Sequence, residues 1–204
     1  MTTFKKSRTA WAAAAAAALA VSMAASAGAE SRPSAFAVLA SPNVSVTSAS
    51  GTYRIEGSFA VDTPAPIVWA VLTDYDRVPS FVSSMRSSAA QREPSGRLLV
   101  TQEAVGRAGP FSRTMHVVLD VTEQAPQRIA FRDVCGGSFH SYAGSWTIEP
   151  EGAGVRVTYV LDARPRSSPP LFAKAIMTSN ARGLLEQVRL EILRRGRTAS
   201  SSSY

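Results

Sequence analysis

The strongest constraint on this chain is a run of strand-type segments whose joins are too short to cross a sheet. Leu98 to Val105, Thr114 to Thr122, Arg128 to Cys135, Phe139 to Ile148 and Val155 to Ala163 are rich in β-branched and aromatic residues. The joins are Gly106 to Pro110, Gln124-Ala125-Pro126-Gln127, Gly136-Gly137 and Pro150 to Gly154. A parallel pair needs a crossover of about a dozen residues or more, so neighbours joined this tightly are antiparallel. The segment is a meander. Met115, Val117, Leu119 and Val121 share one face of their strand, so the sheet has an apolar side that needs a cover.

That cover follows directly in the sequence. Ser168 and Pro169 suit the cap and first turn of a helix. Phe172, Ile176, Leu184, Leu185, Val188 and Ile192 then recur on one side of it, with Lys174, Arg182, Glu186, Arg189 and Glu191 elsewhere. Upstream, Tyr53 to Val61 reads as a strand with Gly57 at a bulge. Thr63 is placed to cap a helix opened by Pro64 and carrying Val68, Trp69, Val71 and Leu72. Asp76 is placed to cap a second, short helix with Val78, Phe81 and Val82. This order makes an α+β domain, a one-sided antiparallel sheet covered by a long helix. Where such a sheet curves, sheet and helix cannot meet everywhere, and a cavity is left between them.

The N-terminal stretch stands apart. Lys5, Lys6 and Arg8 precede an alanine-rich apolar run from Ala10 to about Ala25, and Ala27-Gly28-Ala29 has the small-x-small form of a signal peptidase site. Residues 1–29 are therefore expected to be a signal peptide cut before Glu30, giving a periplasmic or secreted protein. A retained membrane anchor is the competing reading, but the run is short and alanine only weakly apolar. Residues 30–50 read as a flexible leader, 51–195 as the domain and the serine-rich 196–204 as a disordered tail.

Charge and cysteine content exclude several classes. Losing Lys5, Lys6 and Arg8 takes the formal charge from +7 to +4, with no basic stripe for nucleic acid. Arg189, Arg194, Arg195 and Arg197 cluster locally, as a solvated helix end or as a transient contact for an anionic membrane surface. The single cysteine, Cys135, rules out an internal disulfide framework. One cysteine and two histidines have no ligand spacing, and no phosphate or nucleotide fingerprint is present, so neither metal nor cofactor is expected.

Thr63-Pro-Ala-Pro-Ile-Val-Trp-Ala-Val-Leu-Thr-Asp-Tyr-Asp-Arg-Val-Pro-Ser-Phe81 resembles the first helices of the START-like (SRPBCC) superfamily. Phe139-His-Ser-Tyr-Ala-Gly-Ser-Trp-Thr-Ile-Glu-Pro150 and Val155-Arg-Val-Thr-Tyr-Val-Leu161 resemble late strands of its polyketide cyclase/dehydrase and coenzyme-Q-binding branch. The resemblance spans roughly residues 52–193. It implies a helix-grip fold, a curved antiparallel sheet wrapped around the C-terminal helix with a deep apolar cavity between them. Members include lipid carriers, quinone-binding proteins, aromatic-polyketide cyclases and regulators of partner proteins, so the ligand stays open.

A two-residue Gly136-Gly137 loop would set Cys135 opposite Ser138, Asp133 opposite His140 and Phe131 opposite Tyr142. Alternation then points Ile129, Phe131, Asp133, His140, Tyr142, Trp146 and Ile148 toward the helix. The candidate ligand-contacting residues are Met115, Val117, Leu119, Phe131, Tyr142, Trp146 and Tyr159 from the sheet, with Ile176 and Asn180 from the helix. Trp146 is expected to pack on the helix, and mid-helix Gly183 suggests close approach by another group. Tyr142 and Tyr159 stand out, because a buried hydroxyl needs a partner.

Three classes remain. The first is a non-catalytic carrier of an apolar lipid, quinone or polyketide-like molecule. An isoprenoid or acyl tail would suit it, since each buried CH₂ contributes about 0.8 kcal/mol. The second is a cyclase or dehydratase with Asp133–His140 or Tyr142 as acid/base groups. The third uses the fold only to contact another protein. A Cys135–His140 nucleophile is set aside because the thiol neighbours Ser138, and His116 falls on the outer face. N-terminal sequencing of protein from the extracytoplasmic fraction is expected to begin at or near Glu30; a mature chain still carrying Trp11 contradicts the export reading.

Overall fold

The structure is a computed structural model that describes residues 41–108, 111–166 and 173–201. The expected signal peptide, the leader up to residue 40, the Ser168–Pro169 helix start and Phe172 lie outside the described residues. Eight strands follow in chain order: β1 Asn43–Ala49, β2 Thr52–Val61, β3 Met85–Arg92, β4 Leu98–Ala108, β5 Phe111–Gln124, β6 Arg128–Asp133, β7 Phe139–Glu151 and β8 Gly154–Pro165. Between β2 and β3 stand α1 Ala65–Leu72, a 3₁₀ turn Tyr75–Arg77 and α2 Val78–Phe81; α3 Ala173–Ser201 comes last.

The strands form one antiparallel sheet in the order β1-β2-β8-β7-β6-β5-β4-β3. Strands β4 to β8 are the expected meander, β3 extends it by one edge strand paired with β4, and β8 closes on β2 with Phe59 opposite Val157. The sheet curves around α3 in a helix-grip fold. Its inner rows are aliphatic: Val100, Val117, Leu119, Val157 and Leu161 are buried against one another and against Leu185, Val188 and Ile192 of α3. Burying one such side chain contributes roughly 1.5–3 kcal/mol, so this interlock, with no disulfide, holds the domain.

Several local expectations are revised. Part of the leader is strand β1, because Val44 and Val46 alternate and the Ser50-Gly51 turn folds them back on β2, with Val46 opposite Ile55. At the other end α3 runs through the expected tail to Ser201. Thr198 and Ser200 hydroxyls donate to the carbonyls of Arg194 and Gly196, so the serines join the helix. Thr63 does not cap α1: it is buried, and Pro64 takes the cap position with its carbonyl accepting from Ile67 at 3.0 Å. Asp76 caps nothing either. Its Oδ1 accepts from the backbone N–H of Ala90 on β3, covering one donor of that edge strand.

Gly57 makes no bulge; it pairs in register with Val44 on one side and Tyr159 on the other. Its function is steric, because a Cβ there would collide with Leu185 Cδ1 of α3. At Gly183, by contrast, a Cβ would meet only the end of Gln187 at 3.7 Å, so the expected close approach is absent. These two glycines should therefore respond oppositely to alanine. Gly57→Ala is expected to destabilise by about 1–3 kcal/mol through overpacking, and Gly183→Ala to stabilise by up to about 1 kcal/mol. Urea unfolding of both variants checks this, and a neutral Gly57→Ala contradicts the proposed seat of α3.

Candidate ligand cavity

Helix α3 packs on β1 and β2 and touches β4. Between those contacts the sheet curves away beneath it, leaving a cavity of about 120 Å³. Residues of six strands supply the sheet side: Met85 from the edge strand β3, then Val100 and Gln102, Leu119 and Val121, Ile129 and Phe131, Tyr142 and Trp146, and Tyr159. Leu184 and Val188 of α3 close it from above, and Tyr75, Val78 and Phe81 close it from the side. No charged side chain is among the residues lining it.

The β6–β8 wall is aromatic. Trp146 and Tyr159 rings lie 4.5 Å apart between centroids, Phe139 and Tyr142 4.8 Å, and Phe131 stands 6.0 Å from Tyr142 and 6.3 Å from Tyr159. These are separations at which tilted and offset rings attract. Burial pushes the Tyr159 phenol well above its ordinary value, reinforced by the neighbouring Tyr142 hydroxyl. Burial also raises Tyr142, opposed in part by Tyr159. Both rings stay protonated, so neither is a base. Gln102 Nε2 donates to Ser88 Oγ at 3.2 Å, and Tyr75 reaches outward to donate to Glu123 at 2.9 Å.

Leu119, Phe131, Tyr142, Trp146 and Tyr159 thus come together around one space. Met115 and Ile176 are half-buried, Val117 is buried and Asn180 is exposed toward Gly106; none of the four lines the cavity. The reason is position along α3. Leu184 and Val188 lie eight and twelve residues beyond Ile176, or about 12–18 Å further along the helix, so Ile176 and Asn180 overlook the wrong end. Trp146, expected against the helix, faces the cavity and packs at a tilt against Tyr159. The side wall from Tyr75, Val78 and Phe81 was not anticipated, although apolar residues in helices too short to be stable alone must cover something.

Asp133 and His140 do not meet. The loop is longer than two residues, and β6 pairs with β7 through Phe131 opposite Gly144, not Tyr142. A register shift between Phe139 and Ser141 then buries Phe139 and turns His140 to solvent. Asp133 builds the loop: Oδ1 accepts from the N–H of Val118 at 3.0 Å and of Cys135 at 3.1 Å, and Oδ2 from Gly136 at 3.0 Å. Burial alone would raise its carboxyl, but these bonds outweigh it and hold the group below its ordinary value. Gly136, at φ +62°, makes this turn possible. Cys135 is exposed and neighbours His116, with Sγ 3.8 Å from Nδ1, instead of Ser138. The Asp133–His140 acid/base pair is therefore absent.

The side wall is tied to α3 by charge. Arg195 bridges Asp74 and Glu191 at 2.7 Å each and lies 5.9 Å from the Phe81 ring centroid. Gln187 Oε1 accepts from the Ser83 N–H at 2.6 Å. In the C-terminal cluster, Arg189 pairs with Glu186 and Arg194 with Glu191, so much of that positive charge is neutralised within the fold.

Residues 52–195 match the sequence model of a family described as polyketide cyclase/dehydrase and lipid transport. The chain belongs to that family. Family resemblance extends to solved structures at low identity, where it speaks for the fold alone. A START superfamily protein from Mycobacterium smegmatis is 13% identical, with a TM-score of 0.59 over 69% of this chain and 97% of that one. The ZhuI aromatase/cyclase from Streptomyces sp. R1128 is 19% identical, with a TM-score of 0.58 over 72% of this chain and 98% of that one. A STAR-related lipid transfer protein from Xanthomonas axonopodis is 18% identical, with a TM-score of 0.55 over 73% and 98%. No curated protein matches by sequence.

The Arg195 bridge has a pH signature. Bonds from Arg194 pull the Glu191 carboxyl down, burial opposes them, and Arg195 adds to the pull, leaving it at about 2 against a usual 4.5. A depressed carboxylate stabilises the fold fully above its unfolded pKa and loses that contribution as pH falls through the folded one. The stability gap between the native protein and Glu191→Gln is therefore expected to be flat above about pH 5 and to shrink toward pH 2. Parallel acid titrations of the two in urea would contradict the bridge.

Proposed function

We propose that this domain binds a neutral apolar small molecule in the cavity between α3 and the sheet, and carries or shields it without altering it. The observation that supports this most is an uncharged, aromatic-walled space inside the fold where close packing would be the default. The relatives' names divide between lipid transfer and aromatase/cyclase activity, and holding an apolar molecule is what the two have in common. A carrier role is favoured over catalysis because Asp133 is occupied by backbone donors and His140 faces solvent. If the signal peptide is removed as proposed, the carrier acts outside the cytoplasm.

Size narrows the guest. Pockets for drug-sized ligands run to roughly 300–1,000 Å³, whereas a cavity of about 150 Å³ holds benzene. At about 120 Å³ this space suits a moiety of about one ring. A whole isoprenoid or acyl tail would require the Asp74–Ser83 segment to lift from α3.

Native mass spectrometry of protein purified from its own host tests the reading. A bound apolar compound is expected on the native protein and on His140→Ala, and absent from Tyr142→Arg when circular dichroism shows that variant folded. Dependence on His140 with indifference to Tyr142 would favour the enzyme class instead.

A further inference from the structure

We propose that the edge strand β1 is a pairing surface for a second copy of this chain, so that two domains join edge to edge in one continuous antiparallel sheet.

The two edges of the sheet are built differently. β3 is guarded in the manner of most natural edges. It carries Arg86 and Arg92, its register slips between Met85 and Ser87, and Asp76 occupies the Ala90 N–H. β1 has none of these devices. Asn43-Val-Ser-Val-Thr-Ser-Ala49 holds no charge and no proline, and it pairs with β2 over all seven residues without a bulge. A flat, uncharged edge of this kind is a template for another strand.

The turn decides which groups face outward. Ser50 and Gly51 both have positive φ, at 49° and 78°, the form of a two-residue type I′ hairpin. Such a turn is closed by its flanking pair, so Ala49 and Thr52 exchange hydrogen bonds, and bonded and non-bonded pairs alternate from there. Asn43, Ser45, Thr47 and Ala49 therefore bond to β2. Val44, Val46 and Ser48 turn their N–H and C=O groups to the open side.

A second copy satisfies that row. With a two-fold axis at Val46, this residue exchanges bonds with Val46 of the second copy, and Val44 and Ser48 exchange bonds with Ser48 and Val44 of the second copy. The faces match as well. Val44 and Val46 pack toward α3 and carry the apolar side across the seam. On the outer face Thr47 stands opposite Ser45 of the second copy, a hydroxyl pair that favours cross-strand pairing. Charge above the seam points to the same occupant. Gln187 and Arg195 reach to Ser83 and Asp74, so helical spacing turns the opposite flank of α3 toward β1. That flank reads Arg182, Glu186, Arg189. When a second copy runs antiparallel beside it, Glu186 of each chain meets an arginine of the other.

Sedimentation equilibrium of protein purified from its own host, from about 1 µM to about 1 mM, tests this. The mass is expected to rise reversibly from one copy toward two. Ser45→Lys/Thr47→Lys sets like charges opposite one another and should hold the chain monomeric, as should Ser45→Glu/Thr47→Glu, while an equal mixture of the two variants dimerises again. Both positions are exposed, so circular dichroism should show native folding. Ala89→Lys on β3 should leave the dimer unchanged. Hydrogen exchange reads the outward row directly: the Val44, Val46 and Ser48 amides should exchange freely in dilute solution and become protected in concentrated solution. A native chain that stays monomeric throughout, a dimer that survives both double variants, or one lost on Ala89→Lys would overturn the proposal. Protection of those three amides that does not change with concentration would overturn it too, because the edge would then be covered within a single chain.

Discussion

Helix α3 can lie on the sheet only because β2 has no side chain at residue 57, where Leu185 occupies the space a Cβ would need. The helix lies along β1 and β2 at this point of close approach. Everything else follows from the curvature of the sheet. Strands β5 to β8 bend away beneath Leu184 and Val188, and the gap is then too wide for aliphatic side chains to fill. Aromatic residues on β6, β7 and β8 reach into it but leave about 120 Å³ open. The cavity is thus a geometric consequence of seating a straight helix tightly at one side of a curved surface.

Much of this architecture was legible in the sequence, because it depends on periodicity and loop length. Short joins required antiparallel neighbours, and the apolar rows from Met115 to Val121 and Val155 to Leu161 required a cover. Leu119, Phe131, Tyr142, Trp146 and Tyr159 fell on the correct face because alternation survives a register slip of two. The hairpin at Gly136 was misjudged because a side chain, not the backbone, sets it. Asp133 binds the N–H groups of Cys135 and Gly136, lengthening the loop and removing the supposed acid/base partner of His140. An Asp followed by Gly three residues on is a turn signal of the kind in which side chain competes with strand pairing. The contribution of Tyr75, Val78 and Phe81 was not legible. It depends on how two short helices dock, which local sequence does not specify.

Charge is kept out of the cavity and used around it. Exposed pairs such as Arg54–Asp162 and Arg156–Glu151 contribute little individually. The Asp74–Arg195–Glu191 bridge is different, being largely shielded and linking the side wall to the far end of α3. The interior then presents only phenol, indole and amide groups to a guest. This division leaves the interior with no countercharge for a charged guest.

The central claim is that the space beneath α3 is a receptor for apolar molecules and not merely a packing defect. Diffraction from crystals equilibrated with methylenecyclohexane tests it most directly. The account predicts ring-shaped density enclosed by Phe131, Tyr142, Tyr159 and Leu184, with the Asp74–Arg195 bridge intact. A cavity that stays empty at saturating probe, or collapses so that α3 meets the β6–β8 wall, would contradict it.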